Sequence, residues 1–511
     1  MRSILWVILA ALCVQTAHAQ ISGARVTGGE VRGTAENGIS IFKGIPFAAP
    51  PVGALRWKAP APVRPWRGVK PADAFAHACM QAPHSQGNTA PVSEDCLYLN
   101  VWTPAASGHD RLPVIVWIHG GGYVGGSTSI GMYDGLGYAR KGVVLVSLAY
   151  RLGPYGFLAH PDLSRESGHG SGDYGIQDLV AGLKWVQKNI AAFGGDSHNV
   201  TVFGHSAGSG AASILAASPL AKGLFQRVIA MSGSSFAPLQ TTSEGGSGLS
   251  IPSLKLAEQN GGAFLTRLSV KSIAEARSLS ADAIQAATGG GLAFRPVADG
   301  YVLPADPYTL YRQGRFNDTP VLLGDVSDET LVFGGPKSLT PAEFETQVRG
   351  QFGEQAEAVL GVYPHATDAE ALSAARQVRN DTQFDWHMWT WAREQSQQGK
   401  GKVFSYFYNN HAPQAEGSGH GSDVPFHFQT LASRGTPRKE DIALSDMISA
   451  YDVNFAKTGD PNGPGLPQWP AFTDQNQQVM VFDATPGART YPLLDRVKVL
   501  DRYFERLRKA Q

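Results

Sequence analysis

The segment Gly204-His205-Ser206-Ala207-Gly208 constrains the fold of this chain more than any other. It matches the G-x-S-x-G pattern, in which a serine occupies a sharp turn between a strand and a helix. Residues 199–203 before it are apolar and β-branched, as is typical of a strand, and residues 209–218 after it are small and helical in character. The five-residue pattern alone is common by chance. Strand, turn and helix together predict that Ser206 is presented into a cleft as a nucleophile.

Short, continuous apolar runs indicate the sheet to which this turn belongs. Residues 112–119 and 142–150 have no polar alternation, which is typical of strands buried on both faces of a mostly parallel sheet. Residues 173–193 place apolar side chains at helical spacing. Further strands are predicted at 227–232, 319–324 and 403–408. The alternation of strands and helices predicts an α/β fold, with the ligand site at the carboxyl ends of the strands, where Ser206 lies.

The first nineteen residues resemble a cleavable secretory signal. Arg2 supplies the positive charge, residues 4–14 form an apolar core too short to span a bilayer, and Ala17-His18-Ala19 fits a cleavage site before Gln20. An uncleaved anchor is the alternative. No later segment is long and apolar enough to cross a membrane. We therefore expect a secreted or periplasmic protein, with a signal at 1–19, a single domain at 20–511 and no integral membrane segment in the mature chain.

Composition excludes some partners and predicts one crosslink. The 43 basic and 43 acidic side chains balance, so nothing electrostatic favours nucleic acid or an anionic membrane surface. Cys13 would leave with the signal, and Cys79 and Cys96 in an exported chain predict one disulfide. A free buried pair and a two-ligand metal site are the alternatives. No Cys or His at metal spacing accompanies the two cysteines, and no metal site is predicted.

A run of glycines after the strand at 112–119 offers hydrogen-bond donors. His119-Gly120-Gly121-Gly122-Tyr123 is an HGGG-type segment, whose bare main chain approaches a substrate oxygen closely. The amides of Gly121 and Gly122, with that of Ala207 at the start of the following helix, are the predicted oxyanion hole. A glycine-rich turn between strands is the alternative.

Four further segments reveal a family resemblance. Residues 42–57, 93–102, 189–204 and 454–463 resemble signature blocks of the type B carboxylesterases, which include bacterial para-nitrobenzyl esterases, animal carboxylesterases and cholinesterases. The matching blocks span nearly the whole mature chain. The resemblance implies an α/β-hydrolase fold, in which a central, mostly parallel β-sheet is flanked by helices and large insertions surround an active-site gorge.

The resemblance also implies an acid partner for the nucleophile. The family has Ser, then Glu or Asp, then His along the chain, and residues 323–329 resemble its strand followed by a D-E-G turn. Glu329 is the matching position, and Asp325 and Asp328 are the nearby alternatives. Without the resemblance, an acid after a strand is more typical of a solvated turn.

The base is implied in the same way. Residues 419–426 resemble the family's H-G-x-E/D-V-P-F block, and His420 is its match. His411 and His427 are nearby competitors. The resemblance therefore implies a catalytic triad of Ser206, Glu329 and His420.

Two positions depart from the family pattern. His205 precedes the nucleophile where the family usually has Glu, so a local anion is missing and choline-like cations are predicted to be poor substrates. Adjacent residues on such a turn point apart, which argues against His205 as a rival base. Thr330 follows the acid where Gly is usual.

Together these features predict a serine ester hydrolase that acts through an acyl-enzyme on a small-molecule ester, with no cofactor. An inactive adhesion protein of the same family and an acyl transferase or amidase with the same triad are the alternatives. No acyl or alcohol preference and no oligomeric state follows from the sequence. Several aromatic residues could line the substrate pocket, although filling the core is the more common role of each Trp. They are Tyr123, Phe236, Phe333, Trp386, Trp389 and Trp391.

Overall fold

The computed structural model describes residues 20–243, 249–289 and 294–510. The predicted signal at 1–19 lies outside these residues. An eleven-stranded sheet runs through the molecule. Numbered along the chain, its strands are β1 Thr34–Glu36, β2 Ile39–Pro46, β3 Tyr98–Thr103, β4 Leu112–Ile118, β5 Val144–Leu148, β6 Gly195–His205, β7 Arg227–Met231, β8 Val321–Val326, β9 Val403–Tyr408, β10 Gln478–Phe482 and β11 Gly487–Thr490.

The strand order across the sheet is β11-β10-β9-β8-β7-β6-β4-β5-β3-β2-β1. The strands from β10 to β5 in this order are mutually parallel, and the pairs at the two ends of the sheet are antiparallel. The predicted mostly parallel sheet is therefore confirmed. The connection after β4 leads to β5 on one side, whereas the connection after β6 leads to β7 on the other. The position between β4 and β6 is therefore a switch point, where α/β sheets bind ligands. Gly204 pairs with Ile118 across it, which brings the ends of β4 and β6 together.

The central strands are buried on both faces, which explains their unbroken apolar sequence. In β4, Val114, Val116 and Ile118 belong to one hydrophobic core, whereas Ile115 and Trp117 belong to a second. Because side chains alternate along a strand, the sheet separates the two cores. These runs lack alternating polar residues because both faces of each strand, rather than one, are buried.

Helices cover both faces of the sheet. Those of eight residues or more in the described chain are α1 Tyr174–Asn189, α2 Ala207–Ala217, α3 Leu254–Arg267, α4 Pro341–Phe352, α5 Asp368–Asn380, α6 Trp386–Gln398, α7 Lys439–Thr458 and α8 Leu494–Lys509. The helix predicted at 173–193 is α1, followed by a 3₁₀ turn at Ile190–Phe193. Helices α4 and α5 begin with capping boxes at Thr340 and Thr367, each of which bonds two otherwise unsatisfied amides. A π-helical turn, Asp381–Asp385, joins α5 to α6.

The amino-terminal region wraps the edge of this core. It contributes a small sheet of strands Gly23–Val26, Gly29–Arg32 and Val69–Pro71, and the short pair Ala78–Cys79 and Val92–Ser93. Cys79 and Cys96 form a disulfide, with Cα atoms 5.0 Å apart, as predicted. Among the helices that the structure describes, none combines the length and apolarity needed to cross a membrane.

Candidate active site

Ser206 lies on a strained turn between β6 and α2. Its φ of 57° and ψ of −122° are unusual for a residue with a side chain. The turn is held because Ser206 N donates to Met231 O (2.8 Å) and its carbonyl accepts from Gly210 N (2.8 Å). A Cβ on Gly208 would lie 2.1 Å from Ile118 O, and one on Gly204 would lie 2.2 Å from Gly208 O. The two glycines of the pattern are therefore required by contacts between main chains, and the turn presents a half-buried serine at the strand end.

The glycine loop after β4 lies against this turn. A Cβ on Gly120 would be 2.9 Å from Ser206 Cβ, so the loop passes beside the nucleophile. Gly121 and Gly122 both have positive φ, 111° and 63°. Within the described chain no group accepts a hydrogen bond from either amide. Ala207, the third predicted donor, opens α2, where the helix dipole favours negative charge. The three amides are thus available to an oxygen of a bound substrate.

Gln81, which the sequence analysis missed, fastens the glycine loop. Its side-chain amide donates to Gly126 O (2.7 Å) and accepts from Gly126 N (2.9 Å). Gln81 stands two residues after Cys79, so the disulfide-bonded segment and the glycine loop are tied together. No local pattern marks a glutamine for this role, because its partner is 45 residues away.

The structure brings Glu329 and His420 into contact. Glu329 follows β8, is fully buried and accepts a hydrogen bond from Val326 N (3.0 Å) through Oε1. Its other oxygen, Oε2, contacts His420 Nδ1. Nε2 of the same ring is buried and has no hydrogen-bond partner among the described residues. An imidazole held at Nδ1 by a carboxylate and unoccupied at Nε2 is arranged to accept a proton there.

The alternative acids have other positions. Asp328 joins the two loops, since its amide donates to Ser418 O (3.0 Å) and its Oδ2 accepts from Ser418 N (3.1 Å). Asp325 points into the sheet, where Tyr491 Oη donates to its carboxylate (3.3 Å). Burial, with the nearby charge of Glu329, raises the pKa of Asp325 well above its usual range. Neither acid is placed against the ring of His420.

The competing histidines also lie elsewhere. The ring of His427 is buried against Asp452, with Nδ1 and Oδ2 2.7 Å apart. His411 is exposed, and its Nδ1 lies 3.1 Å from Ala412 O. Thr330 replaces the usual glycine without disturbing the acid, because Asn380 Oδ1 accepts from Thr330 N (2.7 Å). Asn380 also donates to Ser327 O (3.2 Å), which ties α5 to the turn after β8.

His205 fills the space between the glycine loop and the loop of His420. A Cβ on Gly120 would be 3.1 Å from its Nδ1, and one on Gly421 would be 3.2 Å from its Nε2. The side chain is buried, and neither ring nitrogen has a hydrogen-bond partner in the part of the chain that is described. Burial, with the neighbouring His420 and the positive charge of Arg434, lowers the pKa of His205 well below its usual range. The ring of His205 is therefore neutral.

Most of the aromatic residues proposed as pocket lining are in the core. Trp386 stacks on Phe504 at 3.8 Å, and Trp391 donates to Tyr311 Oη (2.9 Å), so neither lines a substrate pocket. Phe236, Trp389 and Tyr123 are also buried. Phe333 is the exception: it is 47% exposed and its ring lies 5.2 Å from that of His420.

Phe384, which the sequence analysis did not single out, also borders the base. Its ring lies 4.9 Å from that of His420 and 6.1 Å from that of Phe333. The two phenylalanines therefore form an apolar wall beside the imidazole. Phe384 belongs to the π-helical turn between α5 and α6, whose position no sequence pattern indicated.

A cavity of about 580 Å³, which we call the base-side cavity, opens onto His420. Its size suits a small organic molecule. Its walls are mainly apolar and include three charged side chains besides the histidines. The lining includes Leu331, Tyr408, Phe426, Arg434, Arg438 and Asp441.

Comparison with known proteins covers nearly the whole chain. Residues 15–498 match the model of the carboxylesterase family. A fumonisin B1 esterase from Sphingopyxis macrogoltabida is 36% identical over 483 residues, which cover 90% of this chain and 86% of that protein. A para-nitrobenzyl esterase from Bacillus subtilis (strain 168) is 35% identical over 472 residues, covering 89% and 94%. A solved PNB esterase structure superposes with a TM-score of 0.81 at 32% identity, over 94% of this chain and 100% of that one.

Proposed function

This chain belongs to the carboxylesterase family, has the α/β-hydrolase fold and is a carboxylic ester hydrolase, and we propose that it cleaves small-molecule esters through an acyl-enzyme on Ser206. The observation that carries the mechanism is the contact of His420 Nδ1 with Glu329. It leaves Nε2 of the same ring free to exchange protons, and the ring lies 4.7 Å from that of His205, the residue before the nucleophile.

In the acylation half-reaction, Ser206 Oγ attacks the ester carbonyl carbon while His420 Nε2 takes the hydroxyl proton. Glu329 holds the other ring nitrogen and stabilises the imidazolium that forms. The amides of Gly121, Gly122 and Ala207 donate to the developing oxyanion. The carbon–oxygen bond of the ester then breaks, and His420 returns the proton to the departing alcohol.

Deacylation repeats these steps with water as the nucleophile. His420 takes a proton from water, the oxyanion forms in the same place, and Ser206 regains its proton as the acid product leaves. Apart from the ester and the water, every reacting group belongs to the chain itself. The proton that enters His420 in each half-reaction leaves it again.

The nucleophile is tested with Ser206→Ala. We expect loss of the acylation burst with an activated 4-nitrophenyl ester and a fall in kcat of about 10⁶-fold, the size of effect seen when a serine nucleophile is removed. A fluorophosphonate probe should label the wild type on the peptide containing Ser206 and leave the variant unlabelled. Ser167→Ala, which changes an exposed serine, is the matched control. Wild-type turnover in Ser206→Ala would refute the assignment.

The two alternatives from the sequence make different predictions. An inactive adhesion protein would give neither burst nor label, although all three side chains are present. An acyl transferase would form the same acyl-enzyme and pass it to an added alcohol or amine. Product analysis with competing nucleophiles in water separates hydrolysis from transfer.

We also propose that the protein is exported, as secreted or periplasmic protein. The Cys79–Cys96 disulfide and the resemblance of residues 1–19 to a cleavable signal support this proposal. Amino-terminal sequencing of the protein recovered from outside the cytoplasm should begin at Gln20. Recovery only from the cytoplasm with Met1 retained would contradict it.

A further inference from the structure

The base-side cavity has more positive than negative charge in its walls. Its charged side chains, apart from histidines, are two guanidinium groups, Arg434 and Arg438, and one carboxylate, Asp441. Asp441 is fully engaged by Arg438, through contacts of 2.6 Å and 2.7 Å, and also accepts from Asn410 Nδ2 (3.0 Å). Arg438 and Asp441 therefore neutralise each other, and the charge of Arg434 remains.

Arg434 is held beside the base without being neutralised. Its Nη2 donates to Gly421 O (2.8 Å), and Nη1 lies 3.4 Å from Ser422 O. Both carbonyls belong to the loop that carries His420. In the described ranges no carboxylate lies within 4.0 Å of this guanidinium. Since a guanidinium has five N–H donors, several remain for a ligand, and their planar arrangement suits a carboxylate.

Two acidic side chains near the base are buried and bonded to other groups. The position before the nucleophile holds the neutral ring of His205. Glu329 is fully buried and bonded to His420, and Asp423 is buried beneath Tyr406, whose Oη donates to it (2.9 Å). The positive charge of Arg434 acts on the residue before the nucleophile, because it contributes to the lowered pKa of His205.

Apolar side chains also line the cavity. Leu331, Val332, Phe426 and Leu431 are the largest of the aliphatic and phenyl groups in its walls. A ligand that satisfied both regions would carry an apolar segment next to the ester and a negative charge beyond it.

We propose that Arg434 is a specificity-determining residue that binds a free carboxylate of the substrate, an inference that rests on the function proposed above. The preferred substrates are then esters that bear a second, ionised carboxyl group a short apolar distance from the scissile bond. The reactions that supply such substrates would esterify one carboxyl group of a dicarboxylic acid or the hydroxyl group of a carboxylate-bearing alcohol.

The test compares matched charged and neutral esters at pH 7. On the acyl side, 4-nitrophenyl hydrogen glutarate is compared with 4-nitrophenyl pentanoate. On the alcohol side, 4-carboxyphenyl butyrate is compared with phenyl butyrate. The quantity measured is the ratio of kcat/KM for the charged ester to that for its neutral partner.

We expect the wild type to favour the charged member of at least one pair. Arg434→Gln should lower that ratio by about 10–100-fold, as expected for loss of a charged hydrogen bond. Arg434→Lys should retain part of it, since a lysine keeps the charge without the planar geometry. The preference should also weaken between 0.05 and 0.5 M salt. Arg502→Gln, an exposed arginine on α8, is the control that should leave the ratio unchanged.

Three outcomes would overturn the proposal. The first is that the wild type favours the neutral member of both pairs. The second is that Arg434→Gln changes the charged-to-neutral ratio by less than about threefold. The third is that Arg434→Gln lowers kcat/KM equally for both members of a pair, which would assign Arg434 only to support of the His420 loop. Ser206→Ala should abolish turnover of all four esters. Failure of the charge preference therefore remains distinguishable from failure of the proposed mechanism.

Discussion

The two halves of the active site are held in place by different kinds of contact. In the nucleophile half, residues 119–126 and 204–210, contacts between main-chain atoms and bare glycines set the geometry. In the acid–base half, residues 326–335 and 417–434, side chains set it: Glu329 bonds His420, Asp328 joins the two loops, and Arg434 holds two carbonyls. Main-chain packing tolerates no added atom, whereas a side-chain network tolerates a change of chemistry without a change of shape.

This difference predicts two kinds of failure. A side chain added at a glycine of the nucleophile half should unfold the turn, and activity should be lost together with stability. A conservative substitution in the acid–base half should leave the fold intact and remove only catalysis. The following variants test that distinction, beginning with the largest expected effect.

Glu329→Gln should abolish most catalysis in a folded protein. The amide keeps the size of the side chain and can still accept from Val326 N, but it cannot stabilise an imidazolium on His420. We expect kcat to fall by about 10⁴-fold, as for replacement of a triad carboxylate by its amide. Circular dichroism should show an unchanged melting temperature. Glu354→Gln, on the surface, should change neither property. A large fall in melting temperature for Glu329→Gln would contradict the distinction.

Gly208→Ala should fail by unfolding. The new methyl group would lie 2.1 Å from Ile118 O, a main-chain atom of β4 that cannot rotate away. We expect a loss of about 3 kcal/mol in the free energy of unfolding, at the upper end for overpacked sites. Gly262→Ala is the control, because that helical glycine has open space around it and alanine favours the helix. Normal stability with lost activity in Gly208→Ala would show that the nucleophile half also fails chemically.

Removing the disulfide tests whether the nucleophile half depends on its surroundings. Cys79→Ser/Cys96→Ser frees a loop that also carries Gln81, the residue bonded to Gly126. The free energy of unfolding should fall by about 3 kcal/mol, as expected for a closed loop of this length. A reductant should lower the melting temperature of the wild type and leave that of the variant unchanged. Equal sensitivity of both proteins would exclude the disulfide as the cause.

Asp385→Asn should stabilise the π-helical turn that borders the acid–base half. Asp385 is fully buried, and burial together with Asp325 and Asp381 raises its pKa well above the usual range. The folded state then keeps a proton that the unfolded chain loses above pH of about 4, so this group makes the protein less stable as the pH rises.

The asparagine side chain of Asp385→Asn does not titrate, so the variant lacks this contribution to the pH dependence of stability. At pH 8 we expect Asp385→Asn to gain about 1–2 kcal/mol, because the amide is uncharged in both states and folding no longer requires uptake of a proton; each unit of pKa difference is worth about 1.4 kcal/mol. Urea unfolding at pH 5 and pH 8 should show a smaller pH dependence in the variant than in the wild type. Asp441→Asn is the contrast, since its ion pair with Arg438 lowers the pKa of that carboxyl and its loss should destabilise. If Asp385→Asn is less stable than the wild type at pH 8, the predicted gain in the free energy of unfolding is wrong.

The sequence predicted the nucleophile half well because that half is local. The strand predicted at 112–119 is observed as Leu112–Ile118, and the turn lies between β6 and α2. Strand β6 begins at Gly195, earlier than the predicted residue 199. The earlier start was not predicted because the bulge between Gly195 and Val200 has no apolar pattern.

The acid–base half was accessible only through the family resemblance. Asn380 bonds Thr330 from 50 residues away, and no periodicity carries such information. The tryptophans of α6 are buried in the core, which is the more common role that the sequence analysis gave to each of them.

The placement of the site at the carboxyl ends of parallel strands has a practical consequence for engineering. Residues 336–338 and 411–416 connect elements at that edge without taking part in the sheet. Grafting or randomising these connections would alter what reaches Ser206 while the register of all eleven strands stays as it is. A library confined to them should retain a high fraction of folded members and still sample new ester preferences.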